Sequence, residues 1–170
     1  TFKLLSKAAL AVAAMGLCLS AASAAYKSEY KLSVVPGASS GWGQTATFFA
    51  DCVRQKSNGR INIKPYFGAQ LMAGKQTSEL LLVRRGAIDF ALASTINWSP
   101  QIKELNLTAL PFFVANNPDR YKAIDAIEAG KSGKMLEKAI EKTGVKFLGW
   151  SENGFRELTT SKGRSKNRKI

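Results

Sequence analysis

The sequence has no histidine among its 170 residues and only two cysteines. The lack of histidine excludes Ser-His-Asp and Cys-His nucleophile systems, and it excludes metal sites built on imidazole. No cysteine pair and no tight cluster of carboxylates takes their place. We therefore expect a protein without catalytic residues, metal or cofactor, that is, a binding protein rather than an enzyme.

The N-terminus has the features of a secretory signal peptide. Lys3 and Lys7 precede an apolar run over residues 8–19, and Ala22-Ser23-Ala24 fits an A-x-A cleavage site. The run is shorter than the roughly 18 residues that a membrane-spanning helix needs. Residues 1–24 are thus predicted to be removed on export. Cys52 would then be the single cysteine, so no internal disulfide is expected.

The net charge of +13 is concentrated outside the central part of the chain. The signal peptide contributes two lysines, and the last nine residues contribute five basic side chains, which leaves +6 for residues 26–161. The central charges are scattered, whereas a nucleic-acid footprint would be clustered. We expect no nucleic-acid partner, although a mildly basic exported domain suits an anionic ligand.

The first part of this central region alternates between strand and helix patterns. Strands are predicted at 30–35, 61–66 and 87–93. A helix capped by Ser39 or Ser40 runs between the first two strands, and one opened by Thr77 or Ser78 runs between the last two. This β-α-β-α-β order with short connections predicts an α/β fold, with a mostly parallel sheet flanked by helices.

The second part has weaker signals. Helices are predicted from Asp119 to Ala129 and over 134–142, since glycine follows each of them closely. Further strands are predicted at 145–150, after Thr143-Gly144, and at 155–160, after a turn at Asn153-Gly154.

The segment after the first strand resembles a phosphate-binding loop. Gly41-Trp42-Gly43-Gln44-Thr45-Ala46 fits a loose G-x-G-x-x-A pattern. A nucleotide site is nevertheless not expected, because the chain has no Gly-Lys-Ser/Thr motif and no acidic residue at the end of the second strand. Two interpretations stay open: backbone N–H groups here face an anion beside Ser39 and Ser40, or these serines only cap the helix.

Two further polar segments are candidates for ligand binding. Ser94, Thr95, Asn97 and Trp98 follow the third strand, where ligand crevices of parallel sheets form. Two interpretations stay open: these residues bind a polar solute, or they form a capped turn in which the Trp98 indole is packed. Arg156 lies in the last predicted strand, where a guanidinium can grip a carboxylate through two parallel hydrogen bonds, or pair with a neighbour such as Glu157.

Five motifs, taken in order and spacing, resemble the N-terminal half of the TRAP-transporter solute-binding proteins of the dicarboxylate-binding P-subunit type. The resemblance covers residues 26–161. The motifs are Val35-Pro36-Gly37-Ala38-Ser39-Ser40, Tyr66-Phe67-Gly68-Ala69-Gln70-Leu71, Arg85-Gly86-Ala87-Ile88-Asp89-Phe90, Leu110-Pro111-Phe112-Phe113 and Asn153-Gly154-Phe155-Arg156.

The resemblance implies the first lobe of a periplasmic-binding-protein-like fold, in which two lobes close on a small carboxylate such as a C4-dicarboxylate. It implies a periplasmic protein that delivers its ligand to the membrane subunits of a TRAP transporter. Arg156 falls on a ligand-binding arginine of the family. The other implied ligand-binding residues lie after the first and third strands: Ser39, Ser40, Trp42, Ser94, Asn97 and Trp98.

The sequence departs from this family at its end. The resemblance implies a Pro-Glu-Asp-Leu-Lys-Gly-like continuation and then a strand with the principal carboxylate-clamping arginine, but residues 162–170 form a basic tail. We expect residues 25–161 to be an incomplete first lobe, with the second lobe largely missing, and a frameshift near Gly163 to have produced the tail. Such a chain is expected to bind carboxylates with millimolar affinity or not at all.

Three other functions stay open at this point. The protein feeds a sensor kinase, it binds an anionic surface or nucleic acid through its tail, or it is a non-functional fragment. Export and the lack of aromatic residues among the basic ones argue against nucleic acid. The ligand itself is not specified, because neutral pocket residues suit dicarboxylates, hydroxy acids, keto acids and sugar acids alike.

Overall fold

The computed structural model describes residues 26–114, 117–152 and 154. The signal peptide, Arg156, the predicted strand at 155–160 and the basic tail lie outside these residues. The elements are β1 (Tyr30–Val34), α1 (Gly41–Lys56), β2 (Ile63–Tyr66), α2 (Glu79–Arg84), β3 (Phe90–Leu92), α3 (Thr95–Trp98), α4 (Arg120–Ala129) and α5 (Lys131–Glu141), with 3₁₀ turns at Gln70–Met72, Gln76–Ser78 and Lys103–Ala109.

The three strands form a parallel sheet in the order β2-β1-β3. In the register, Leu32 of β1 lies opposite Pro65 of β2 and Phe90 of β3. Leu32, Ser33 and Val34 are all buried, as expected for the central strand of a parallel sheet with helices on its faces. The predicted α/β fold with a parallel sheet flanked by helices is confirmed.

Helix α1 is built as its sequence predicts. The apolar residues at helical spacing, Trp42, Ala46, Phe49 and Val53, all pack into one core cluster with β1 and β2. Asn58 and Gly59 end the segment in the left-handed region, with φ of 53° and 75°. Full burial of a large apolar side chain contributes about 1.5–3 kcal/mol, and Trp42, Phe49 and Val53 are partly buried, so together they hold the helix on the sheet.

A second core cluster joins α2, α3 and α5. Its buried members are Leu80, Trp98, Ile102, Leu105, Leu136, Ala139 and Ile140. Leu80 and Leu136 lie on helices that are far apart in sequence, so this cluster connects the two parts of the chain. No helix among the described residues combines the length and the hydropathy that crossing a lipid bilayer requires.

The predicted strand at 145–150 is wrong, because these residues pair with no other strand of the described structure. Val145, Phe147 and Trp150 nevertheless pack against the second cluster, whereas Lys146 and Leu148 are exposed. A strand also needs a backbone partner, which periodicity does not supply. Smaller differences are that β3 is shorter than predicted and that α5 begins at Lys131 rather than residue 134.

Candidate functional site

The candidate site lies at the carboxyl edge of the sheet, where the segments after β1, β2 and β3 meet. All three strands are parallel, so Val34, Tyr66 and Leu92 end at this same edge. The first two segments are tied together, since the Gly68 N–H donates to the Pro36 carbonyl (3.0 Å) and the Ala69 N–H to the Val34 carbonyl (3.3 Å). Ligand crevices of open parallel sheets form at this edge.

Ser40 caps α1, as the second of the two interpretations of its loop proposed. Its Oγ accepts a hydrogen bond from the Gly43 N–H (3.0 Å) and donates one to the Gly37 carbonyl (2.6 Å). The Ser40 carbonyl accepts from the Gln44 N–H. The N–H groups of Gly41 and Trp42 have no acceptor within the described part of the chain. Capping therefore leaves two backbone donors of the first turn available to an anion.

The neighbouring residues of this loop differ in exposure. The Ser39 side chain is exposed, while its carbonyl lies 3.5 Å from Gln44 Nε2. Trp42 is half-buried and packs its ring on the first core cluster. Of the three residues predicted here, Ser39 thus has its side chain in solvent, Ser40 is engaged in the cap, and Trp42 contributes to the core.

The two serines provide a matched pair for measuring the cap. Ser40→Ala is expected to lower the free energy of unfolding by about 1 kcal/mol, because the Gly43 N–H loses its partner and the Gly37 carbonyl keeps only the backbone N–H of Ser40. Ser39→Ala is expected to change it by less than about 0.5 kcal/mol, because this side chain is exposed. Urea unfolding of both variants measures the difference. Equal effects would show that the Ser40 hydroxyl does not cap the helix in solution.

The segment after β3 is a short helix rather than a loop. The Ser94 carbonyl accepts hydrogen bonds from the Asn97 N–H (3.0 Å) and the Trp98 N–H (3.3 Å), which form the turn. Asn97 Nδ2 donates to Gln76 Oε1 (2.9 Å), and Thr108 Oγ1 donates to Thr95 Oγ1 (2.8 Å). The Ser94 hydroxyl has no partner among the residues that the structure describes. The segment therefore presents the partly exposed Ser94 hydroxyl near the side-chain amide of Asn97, which is already hydrogen-bonded to Gln76.

Trp98 packs in the interior. Its side chain is 6% exposed and belongs to the second core cluster with Leu80 and Leu105. The indole Nε1–H donates to Glu79 Oε2 at 3.1 Å. This arrangement matches the packed-indole alternative, and direct contact of Trp98 with a ligand stays a prediction.

Glu79 is the residue of this region that the sequence did not reveal. Its side chain is fully buried, and its Oε1 accepts a hydrogen bond from Ser33 Oγ at 2.5 Å. Burial raises the pKa of this carboxyl above its ordinary value, while the bonds from Ser33 and Trp98 oppose that shift. A glutamate in the first turn of a helix is usually exposed, and it stabilises the helix through its interaction with the helix dipole. A serine on a central strand was the one available hint of a buried partner.

An open cavity of about 550 Å³ lies elsewhere, between the segment after Pro111 and α4. It is lined mainly by apolar side chains, including Phe112, Phe113 and Ile127, and by none of the predicted ligand-binding residues. The described ranges also contain no group of three or more His, Cys, Asp or Glu side chains placed to hold a metal ion. The cavity and the carboxyl edge of the sheet are therefore two separate places in the described structure.

The sequence matches a known family over most of its length. The family model described as bacterial extracellular solute-binding protein, family 7 (DctP), covers residues 32–166. The C4-dicarboxylate-binding periplasmic protein DctP of Rhodobacter capsulatus is 26% identical over 149 residues, which are 87% of this chain and 43% of that protein.

Solved structures share both fold and sequence with this chain. A TRAP periplasmic solute-binding protein from Ralstonia eutropha H16, with bound (S)-2-acetolactate, is 53% identical with a TM-score of 0.66 over 71% of this chain and 37% of its own. Another, from Polaromonas sp. JS666 with bound D-erythronate, is 25% identical with a TM-score of 0.66 over 76% and 41%. The chain thus spans about two fifths of the length of these relatives.

Proposed function

Since the chain belongs to family 7 of the bacterial extracellular solute-binding proteins, we propose that it forms the first-lobe part of a periplasmic receptor that captures a small organic carboxylate for a TRAP transporter. The observation that carries this proposal is the meeting of the polar segments after β1 and β3 at the carboxyl edge of one parallel sheet. The membrane subunits of the transporter are the proposed protein partners, and residues 1–24 are proposed to direct export.

The proposed binding of the carboxylate begins at the N-terminus of α1. This helix has 16 residues, so its N-terminus carries a partial positive charge equivalent to about half an elementary charge. The N–H groups of Gly41 and Trp42 are the unpaired donors of its first turn within the described residues. A carboxylate oxygen placed there would accept from both groups, as anions do at other helix N-termini.

The polar part of the ligand is proposed to face the segment after β3. The Ser94 hydroxyl is available as donor or acceptor, and Asn97 is held by Gln76 at the same edge of the sheet. Arg156 is proposed to add a charge-assisted bond to the carboxylate, and such bonds are roughly twice as strong as neutral ones. Neutral and cationic groups together suit an acid that also carries hydroxyl or keto oxygens.

We favour a short hydroxy or keto acid as ligand over a C4-dicarboxylate. The relative solved with (S)-2-acetolactate is 53% identical to this chain, whereas the C4-dicarboxylate-binding relative is 26% identical. Because the first lobe supplies only part of the contacts, the expected affinity of this chain alone is millimolar, equivalent to about −4 kcal/mol.

The proposal is tested by titrating the isotope-labelled protein with (S)-2-acetolactate and following its amide NMR signals. We expect saturable shifts at Gly41, Trp42 and Ser94–Trp98 with a dissociation constant in the millimolar range. The neutral methyl ester of the same acid is the control, and its shifts should be several times smaller because it lacks the charge. Shifts of equal size with the ester, or shifts confined to residues away from this edge, would contradict the proposal.

A further inference from the structure

We infer that Glu79 is a positioning residue, which holds helix α3 and with it Ser94 and Asn97 in place for ligand binding through the side chain of Trp98. The inference rests on the proposed function for the role of Ser94 and Asn97. The placement of α3 by Glu79 is a separate claim, which can be measured without any ligand.

One carboxyl group connects three elements. Glu79 is the first residue of α2, Ser33 lies in the central strand β1, and Trp98 is the last residue of α3. Ser33 Oγ donates to Oε1 (2.5 Å) and Trp98 Nε1 donates to Oε2 (3.1 Å), so each oxygen is engaged by a different element. Because Glu79 is itself held at the start of α2, its Oε2 fixes the orientation of the indole relative to that helix.

Helix α3 depends on such contacts because it is not stable by itself. It has four residues and no side-chain cap, whereas isolated helices shorter than roughly 12 residues are marginal in water. Trp98 joins the two ends of the segment, since its indole is held by Glu79 and its N–H donates to the Ser94 carbonyl. A displaced indole would therefore move Ser94 as well.

Burying a carboxyl group at this position costs desolvation free energy, so we expect its hydrogen bonds to have a role. Glu79 is 0% exposed, and no salt bridge links it to a cation of the described residues. Apart from burial, the groups that act on its pKa are Ser33 of β1 and Trp98 of α3, and no charged side chain contributes. A leucine would fill the same space without the desolvation cost.

Four variants separate positioning from general packing. Glu79→Leu removes the acceptor, and Trp98→Phe removes the donor while keeping an aromatic ring. Glu79→Gln keeps both contacts, because its amide oxygen accepts from Trp98 and its NH₂ donates to the Ser33 oxygen. Ser33→Ala is the matched control, since it removes the other hydrogen bond of the same carboxyl and leaves the bond to α3.

Hydrogen exchange of the amides of Asn97, Trp98 and Ser99, measured relative to the amides of α1, gives the readout. We expect exchange to become at least tenfold faster in Glu79→Leu and Trp98→Phe, and to stay within about threefold of the parent in Glu79→Gln and Ser33→Ala. Unchanged exchange in Trp98→Phe, or an equal effect of Ser33→Ala, would overturn the inference. If Glu79→Leu does not fold, the pair Trp98→Phe and Ser33→Ala decides.

The pH dependence of stability provides a second readout. Burial raises the pKa of Glu79 in the folded protein. Between about pH 4.5 and this raised pKa, the folded state therefore keeps a proton that the unfolded state has lost. The stability of the parent relative to Glu79→Gln should therefore fall as pH rises from 4.5 through the folded pKa, and be constant outside that window. A flat difference would show that folding does not raise the pKa of Glu79.

Ligand titration of the same variants keeps the two claims apart. If the parent protein shows no carboxylate binding, the proposed millimolar binding by this chain fails while the exchange result still decides the role of Glu79. If the parent binds (S)-2-acetolactate, the shifts of Ser94 and Asn97 should require at least fivefold more ligand in Trp98→Phe than in Ser33→Ala. Equal titrations would leave Glu79 without a role in binding and so contradict the inference.

Discussion

Gly133→Ala is expected to lower the free energy of unfolding by about 3 kcal/mol, the upper end of the usual range for overpacking. A Cβ atom at this position would lie 1.8 Å from the Glu128 carbonyl oxygen, 2.5 Å from its carbonyl carbon and 2.8 Å from its Cα. All three atoms belong to the backbone of α4, so no side-chain rotation relieves the contact. Alanine is favoured over glycine within a helix by about 1 kcal/mol, which offsets only part of this cost.

Urea unfolding followed by circular dichroism measures this effect. Gly149→Ala is the control, because the same atom added there meets nothing within 4 Å. We expect it to change the free energy of unfolding by less than about 1 kcal/mol. A loss below about 1 kcal/mol for Gly133→Ala would show that α4 and α5 can move apart at little cost, and that the close packing at Gly133 is not required.

Gly43→Ala is expected to destabilise the protein by about 2–3 kcal/mol and to disturb the candidate site itself. The new Cβ atom would lie 2.4 Å from the Ala38 carbonyl oxygen and 2.6 Å from that of Gly37. These two residues form the turn that precedes α1, and the Gly37 carbonyl accepts the hydrogen bond from Ser40. The substitution must therefore shift the backbone next to the proposed anion-binding donors.

Gly41→Ala is a closely matched control for this variant. Gly41 lies in the same first turn of α1, yet a Cβ atom there meets nothing within 4 Å. We expect it to leave stability unchanged or to raise it by up to about 1 kcal/mol. The amide NMR titration with (S)-2-acetolactate should show at least fivefold weaker binding for Gly43→Ala than for the parent protein. Equal stability of the two variants would contradict the close approach at Gly43.

The β-α-β-α-β part of the chain was predictable because its local signals agree with one another. Ser40 was one of two predicted caps, and the structure selects it through its bonds to Gly43 and Gly37. The apolar spacing of α1 matches the face that packs on the sheet. Where capping, period and turn residues all indicate the same element, tertiary contacts only confirm what the local sequence favours.

Residues 145–150 show the limit of this approach. Their side chains alternate between the core and solvent over residues 145–148, since Phe147 is packed and Leu148 is exposed. This alternation does not indicate whether another strand lies within hydrogen-bonding distance. Backbone pairing depends on what the rest of the chain places beside this segment, and that information is not local.

The sequence by itself determined the order of strands and helices up to β3, the parallel sheet and the segments at its carboxyl edge, because helix and strand periods and caps are local properties. Only the tertiary structure decided how the candidate residues are used. It placed Trp98 in the core, engaged Ser40 in a cap and buried Glu79 between Ser33 and Trp98. The physical reason is that burial and hydrogen-bond partnership depend on residues distant in the chain, here 46 positions apart for Ser33 and Glu79.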